Sequence, residues 1–250
     1  MKGVILAGGK ATRMHPLTLV TNKHLLPVYD KPVIYYGIEK LVEAGIDKIM
    51  IVTSPHHLNN FVDLLGSGQN FKSKNTGKQI QIVYGIQNEP GGLAQGLCIA
   101  KEYVGGDSCV LYLGDNIFEE DLTNRIKAFK GGALIFLKKT AEPERFGIAT
   151  IDKNGKVLNI EEKPKKPKSN LAVTGIYIYD NSVFRKMNGQ KPSERGEYEI
   201  TFVNNKYIEE NNLKYILLEK EWFDIGTFDS LLKASNYMKE KEMKEKKLKK

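Results

Sequence analysis

The chain has only two cysteines and one tryptophan in 250 residues, and none of its apolar runs nears the ~20 residues that a membrane-spanning helix requires. Cys98 and Cys109 fall in a helix-like and a strand-like stretch with no histidine beside either. That excludes a disulfide framework and a thiolate metal site, and both read as buried thiols. Lys2 leads straight into a strand with no cleavage-site pattern, so a cytoplasmic chain with no membrane partner is expected. The run Lys239–Lys250 contains no aromatic residue, yet its seven lysines and three glutamates supply half of the net charge of +8. Such a run gives bases nothing to stack on, so no nucleic-acid partner is expected. It reads instead as a solvated helix end with i,i+4 pairs. Two familiar glycine motifs are missing as well. Ala11 follows Lys10 where a Walker A loop needs Ser or Thr, and the adjacent pair Gly8-Gly9 does not make the Gly-x-Gly-x-x-Gly of a dinucleotide fold.

What is present is an apolar run, Gly3-Val4-Ile5-Leu6-Ala7, that breaks into Gly8-Gly9-Lys10-Ala11-Thr12-Arg13. A buried strand feeding a glycine turn lets successive backbone N–H groups converge on an anion. Arg13 adds a planar donor fork and Lys23 a second charge, which together point to a nucleoside triphosphate. Further on, strand-like runs at 48–53, 79–84 and 109–113 alternate with helical ones at 34–44 and 92–102, the pattern of a parallel, doubly wound sheet. Alternating stretches at 133–138, 148–151, 157–161 and 174–179 then add antiparallel strands, followed by a helix over 199–211. The expected fold is α/β: a Rossmann-like, doubly wound mixed sheet in a single domain over residues 1–237, with a charged tail over 238–250. Asp115 and Asp224 each follow an apolar strand-like run. Two carboxylates meeting at a phosphate suit Mg²⁺, although either alone reads equally well as a turn or cap residue. Gln87 has an amide that could pair with a pyrimidine edge, or it could be a surface residue of a loop.

The strings Leu6-Ala7-Gly8-Gly9-x-x-Thr12-Arg13-Met14-x-Pro16 and Lys23-x-Leu25-x-Pro27-Val28-x-Asp30-Lys31-Pro32 resemble the signature of the sugar-phosphate nucleotidyltransferases. The string Gly92-Leu93-Ala94-Gln95 is similar to that of their thymidylyl branch. The resemblance runs from Gly3 to about Thr227. It implies a nucleotide-diphospho-sugar transferase-like fold, with residues 1–130 as a nucleotide-binding half and 131–237 as a largely antiparallel sugar-phosphate-binding half. It also implies catalytic roles for Arg13, Lys23 and Lys163, and nucleotide contacts from Leu6, Gly8, Gly9, Thr12, Arg13, Gln87, Pro90, Gly92 and Asp115. Sugar-phosphate contacts would come from Gly147, Glu162, Lys163, Val173, Tyr177 and Arg195, and Mg²⁺ would be held by Asp115 and Asp224. The implied reaction joins dTTP and α-D-glucose 1-phosphate into dTDP-glucose and pyrophosphate. UTP or another hexose 1-phosphate, a catalytically silent nucleotide-sugar-binding regulator, and homo-oligomerisation stay open. The chain departs from the family pattern at Ala11, where relatives carry glycine, and this matters only if residue 11 takes a positive φ. It also lacks the longer C-terminal helical extension that builds a regulatory nucleotide-sugar site in long forms, which puts that form of control in question.

Overall fold

The computed structural model describes residues 1–248. In chain order its strands are β1 (Lys2–Ala7), β2 (Pro27–Val28), β3 (Lys31–Pro32), β4 (Lys48–Thr53), β5 (Gln81–Ile86), β6 (Cys109–Leu113), β7 (Asn116–Phe118), β8 (Ala133–Lys139), β9 (Gly147–Ile151), β10 (Val157–Glu162), β11 (Leu171–Tyr179), β12 (Leu213–Leu217) and β13 (Trp222–Asp224). The helices are α1 (Val33–Glu43), α2 (Leu58–Leu65), α3 (Leu93–Ile99), α4 (Lys101–Val104), α5 (Thr123–Lys127), α6 (Val183–Lys186), α7 (Ile200–Glu209) and α8 (Phe228–Leu248).

The strands β5, β4, β1 and β6 lie side by side and parallel, with the apolar runs of β1 and β6 buried on both faces and β5 forming the partly exposed edge. Alternation along β1 sends Ile5 and Ala7 to one face and Val4 and Leu6 to the other. On the first face α1 docks through Ile34, Ile38 and Leu41 at helical spacing. On the second lie Leu97 of α3 and Tyr207 of α7. Beyond β6 the sheet turns antiparallel through β11 and β8, and the β9–β10 hairpin extends it past β11. This is the mixed, doubly wound sheet expected from the sequence. A third cluster, built from Met14, Val28, Phe223, Ala234 and Met238, seats α8 over β2 and β13.

Three local expectations change. The strand expected over 79–84 begins at Gln81, because Gln79 bridges to Lys72 and Ile80 donates to the Phe71 carbonyl, which holds both in a local loop. The helix expected over 92–102 is broken at Ala100, whose N–H bonds back to Leu97 in a tightened turn. Cys98 is exposed, because α3 turns Ala94 and Leu97 inward and 98 outward, while Cys109 is buried in β6 as expected. No helix among the described residues is long and apolar enough to cross a membrane. The charged run extends α8, with Lys246 paired to Glu242 and Lys241 to Glu119, and its last two residues, Lys249 and Lys250, lie outside the described residues.

Candidate active site

The carboxyl ends of β1, β5 and β6 open into a cavity of about 180 Å³ lined by Leu6, Gly8, Gly9, Lys23, His24, Gln87, Pro90, Gly92 and Asp115. That edge is where ligands bind in open α/β sheets. A second cavity, of about 200 Å³, takes its lining from Gly147, Glu162, Lys163, Val173, Tyr177 and Arg195, together with Arg13 and Asp224. Leu93, Leu113 and Glu197 line both, so the two cavities share a wall. All the sequence-predicted site residues gather here except Thr12, whose short 3₁₀ turn, Thr12–Met14, lines neither cavity. Arg13 faces the second cavity and not the first.

Asp115 and Asp224 are over a hundred residues apart in sequence, and two backbone pairings bring them together. β13 pairs antiparallel with β7 so that Asp224 stands opposite Asn116, and the Ile225 N–H donates to the Asp115 carbonyl at 2.9 Å. Asn116 then locks the junction. Its amide nitrogen donates to Asp115 Oδ1 at 2.8 Å, and its oxygen accepts from Trp222 Nε1 at 2.6 Å and from the Gly175 N–H at 3.1 Å. Asn116 was missed in the sequence, although its position next to Asp115 was the available signal. Burial works to raise the Asp115 carboxyl, but the paired Lys23 ammonium and the Asn116 amide outweigh it and hold the group below the usual range. The Asp224 carboxyl is raised, first by burial and then by the Asp115 charge, against the pull of Lys23, Arg145 and Arg13.

At the first cavity, Gln87 is set in one orientation. Its amide nitrogen donates to Gln95 Oε1 at 2.8 Å, and that oxygen also accepts from the Gly91 N–H at 2.9 Å. The oxygen of Gln87 is therefore left facing Gly8, where an added Cβ would lie 2.5 Å from it. Gly92 takes φ +98°, and a side chain there would strike the Tyr198 carbonyl at 2.6 Å. His24 is fully enclosed, hydrogen-bonded to Asn22, and held neutral by burial and the Lys23 charge, with a pKa lowered to about 3. Among the histidines, it alone lines this cavity.

The cations around the second cavity differ in their partners. Arg195 is bound to Glu199 at 2.8 Å and Glu197 at 2.9 Å, and Arg145 to Glu142 at 2.6 Å and Asp224 at 3.4 Å. Among the described residues, Arg13 and Lys163 form no ion pair. Lys163 adopts φ +44°, a left-handed backbone that a non-glycine residue pays for in strain, and its N–H is tied to the Phe146 carbonyl at 3.0 Å. Glu162 receives the Thr201 hydroxyl at 2.6 Å, and burial raises its carboxyl. Ala11 takes φ +49°, so position 11 does need the left-handed region.

The model of the nucleotidyl transferase family matches residues 2–241, and the chain belongs to that family. A relative from Mycolicibacterium smegmatis named glucose-1-phosphate thymidylyltransferase is 44% identical over 98% of this chain and 84% of its own length. One of the same name from Neisseria meningitidis is 43% identical over 95% of this chain and 82% of its own. Among solved structures, a Bacillus anthracis chain in complex with a sucrose superposes with a TM-score of 0.88 at 45% identity, covering 95% of this chain and 94% of that one. A UDP-glucose pyrophosphorylase complexed with UDP-glucose shares the fold, with a TM-score of 0.86 at 23% identity over 96% of this chain and 98% of that one.

Proposed function

We propose that this chain transfers a thymidylyl group from dTTP to α-D-glucose 1-phosphate, forming dTDP-glucose and pyrophosphate. The observation that carries this reading is the pair of cavities that meet beside Asp115 and Asp224. One presents a base-reading amide and the other a glutamate and an unpaired lysine, and relatives over 40% identical along nearly the whole chain bear that activity in their names.

The nucleotide sits in the first cavity. The Gln87 oxygen accepts from the N3–H of thymine, and the Gly92 N–H, free of any side chain, approaches a base carbonyl. The hexose lies in the second cavity against Gly147, Val173 and Tyr177, with its hydroxyls near Glu162. The attacking oxygen of the sugar phosphate is already anionic near neutral pH, so no general base is needed and the protein supplies alignment and charge. Lys163 and Arg195 hold the incoming phosphate. Lys23 faces the α-phosphate of dTTP, and Arg13 faces the leaving pyrophosphate.

The carboxylate pair fits a divalent cation. Asp115, held ionised by Lys23, raises the cost of ionising the buried Asp224, a cost that a cation between them would relieve, and one or two carboxylates plus phosphate oxygens make the donor set Mg²⁺ prefers. No cluster of three or more His, Cys, Asp or Glu residues occurs among the described residues, which matches a site completed by substrate. Asp115 and Asp224 would hold Mg²⁺, which when bound would neutralise phosphate charge.

A panel of dTTP, UTP, dCTP and GTP against glucose, galactose and mannose 1-phosphates, read by pyrophosphate release, tests the reading. The dTTP and glucose 1-phosphate pair should give the highest kcat/KM. A maximum with UTP or with another sugar moves the specificity, and no release from any pair leaves a silent nucleotide-sugar binder.

A further inference from the structure

A third cavity, of about 600 Å³, opens beside the nucleotide cavity, and nothing above assigns it an occupant. The two share Gly8, Gly9, Gln87 and Pro90, so the base-reading amide stands on the divide between them. Beyond the divide, the turn after β4 contributes Ser54, His56 and His57, the stretch after β5 contributes Asn88 and Glu89, and the glycine turn contributes Lys10. These six side chains form no hydrogen bond and no ion pair among the described residues. Pro90 is the one apolar side chain among the described residues that line the space. The groups that face the phosphates, Arg13, Lys23, Asp115, Lys163, Arg195 and Asp224, line the other two cavities, and none of them lines this one. The third cavity therefore lies at the base end of the nucleotide and not along its phosphate chain.

The bonding of the base decides which of its atoms looks out. In a pyrimidine, C4 lies across the ring from N1, and C5 across from C2. N3 is held at the Gln87 oxygen. N1 is turned toward Lys23 and Asp115, because it carries the deoxyribose and through it the α-phosphate. The C4–C5 edge is then turned away from the phosphate end, to the side on which the third cavity opens.

We propose that this cavity receives the substituent on C5 of the base, and that the chain accepts 2′-deoxyuridine triphosphates carrying a polar group larger than methyl at that position. This rests on the thymidylyl-transfer reading and extends its nucleotide substrate. A methyl enclosed in an apolar pocket is told from hydrogen by about tenfold or more. Here it looks into an open, polar space, so it adds little. A longer arm ending in an ammonium or hydroxyl group finds the Glu89 carboxylate, the Asn88 amide and the imidazoles. C5 takes no part in the transfer itself. The sugar-phosphate oxygen bonds to the α-phosphorus, the bond from that phosphorus to the bridging oxygen breaks, and its electron pair leaves with the pyrophosphate.

The test compares dTTP, dUTP and 5-aminoallyl-dUTP on the whole chain, beside His56→Trp and Asn88→Trp, which put an indole into the third cavity and touch no group assigned to the reaction. Pyrophosphate release with glucose 1-phosphate gives kcat/KM, and calorimetric titration of each triphosphate without sugar phosphate gives Kd. In the wild type, dUTP and 5-aminoallyl-dUTP should both stay within about fivefold of dTTP on either measure. Each indole should weaken 5-aminoallyl-dUTP about tenfold or more and leave dTTP within about twofold. An aminoallyl group that costs the wild type more than about fivefold overturns the proposal, as do indoles that weaken 5-aminoallyl-dUTP no more than dTTP. Should one variant lose its melting transition, the other decides. Release from dTTP but none from 5-aminoallyl-dUTP sinks this assignment and spares the transfer reading. Binding of 5-aminoallyl-dUTP that the indoles block, with no release from any triphosphate, sinks the transfer reading and leaves this assignment standing.

Discussion

At the base end of the site, Gln87, Gln95 and the Gly91 N–H form a neutral chain whose polarity is set throughout, whereas at the phosphate end Lys23, Arg145 and Arg195 are each already bound to carboxylates. The first arrangement presents its acceptor to a base with little rearrangement. The second keeps these three charges available inside a buried site by pairing them, so phosphate binding is an exchange of partners at Lys23, Arg145 and Arg195 and an addition only at Arg13 and Lys163. Selectivity for the base should therefore depend on geometry and survive changes of salt and pH. Turnover should depend on the charges being able to exchange.

The largest break in this comparison comes from the carboxylates. Asp115→Asn and Asp224→Asn should each lower kcat by about 10²-fold or more while the chain stays folded, as checked by circular dichroism beside the assay. Asp224→Asn has a second signature. Burial and then Asp115 raise the Asp224 carboxyl from 3.8 to about 6. The folded state then binds the proton more tightly than the unfolded one, so this group's contribution to stability is full below about pH 4 and is lost as pH rises through about 6. With metal chelated, the Asn variant should melt above the wild type at pH 7 and level with it at pH 3.5. Equal melting temperatures at both pH values would remove the carboxylate repulsion from the account.

Next in size is Lys163→Ala, which removes an unpaired cation. It should raise KM for glucose 1-phosphate and lower kcat, for a combined loss of about 10–100-fold, and leave dTTP binding within about twofold. A defect confined to dTTP would move Lys163 to the base end. A smaller effect follows at the neutral end. Gln87→Leu should cost about tenfold in KM for dTTP, and Gln95→Leu, which frees the Gln87 amide to turn, a few-fold, both with KM for glucose 1-phosphate unchanged. The smallest is Ala11→Gly. Relieving a left-handed alanine should add roughly 0.5–1 kcal/mol of stability and about 1–3 °C of melting temperature with activity nearly unaltered. A drop in melting temperature would mean that the alanine methyl supports the loop.

How far the sequence carries this picture depends on the range of the interactions involved. β1, β4 and β6 were legible because each is a compact apolar run ended by a turn, and the glycine–arginine string marked the phosphate end directly. β7 was not, and the strand-like run before Asp224 gives no sign of its partner, because β7 and β13 have only three residues each and exist through pairing with one another. That pairing is what brings Asp115 and Asp224 together, so their meeting could be inferred from resemblance but not from local pattern. The placement of Arg145 is not legible locally, since it is set by the ion pair with Asp224, far along the chain. The outward turn of Cys98 depends on which face of α3 meets the sheet, a choice made by the packing of Ala94 and Leu97. The question raised at Ala11 was local, and the backbone answers it with φ +49°.

The central claim, that the bond forms between an intact sugar phosphate and the α-phosphorus of the nucleotide, is tested most directly by isotope tracing. Glucose 1-phosphate carrying ¹⁸O in its non-bridging phosphate oxygens is incubated with dTTP and the chain, and both products are weighed by mass spectrometry. The account predicts that all of the label is found in dTDP-glucose and that the pyrophosphate is unlabelled. Label in the pyrophosphate, or a labelled sugar phosphate recovered unchanged beside intact dTTP, would contradict it.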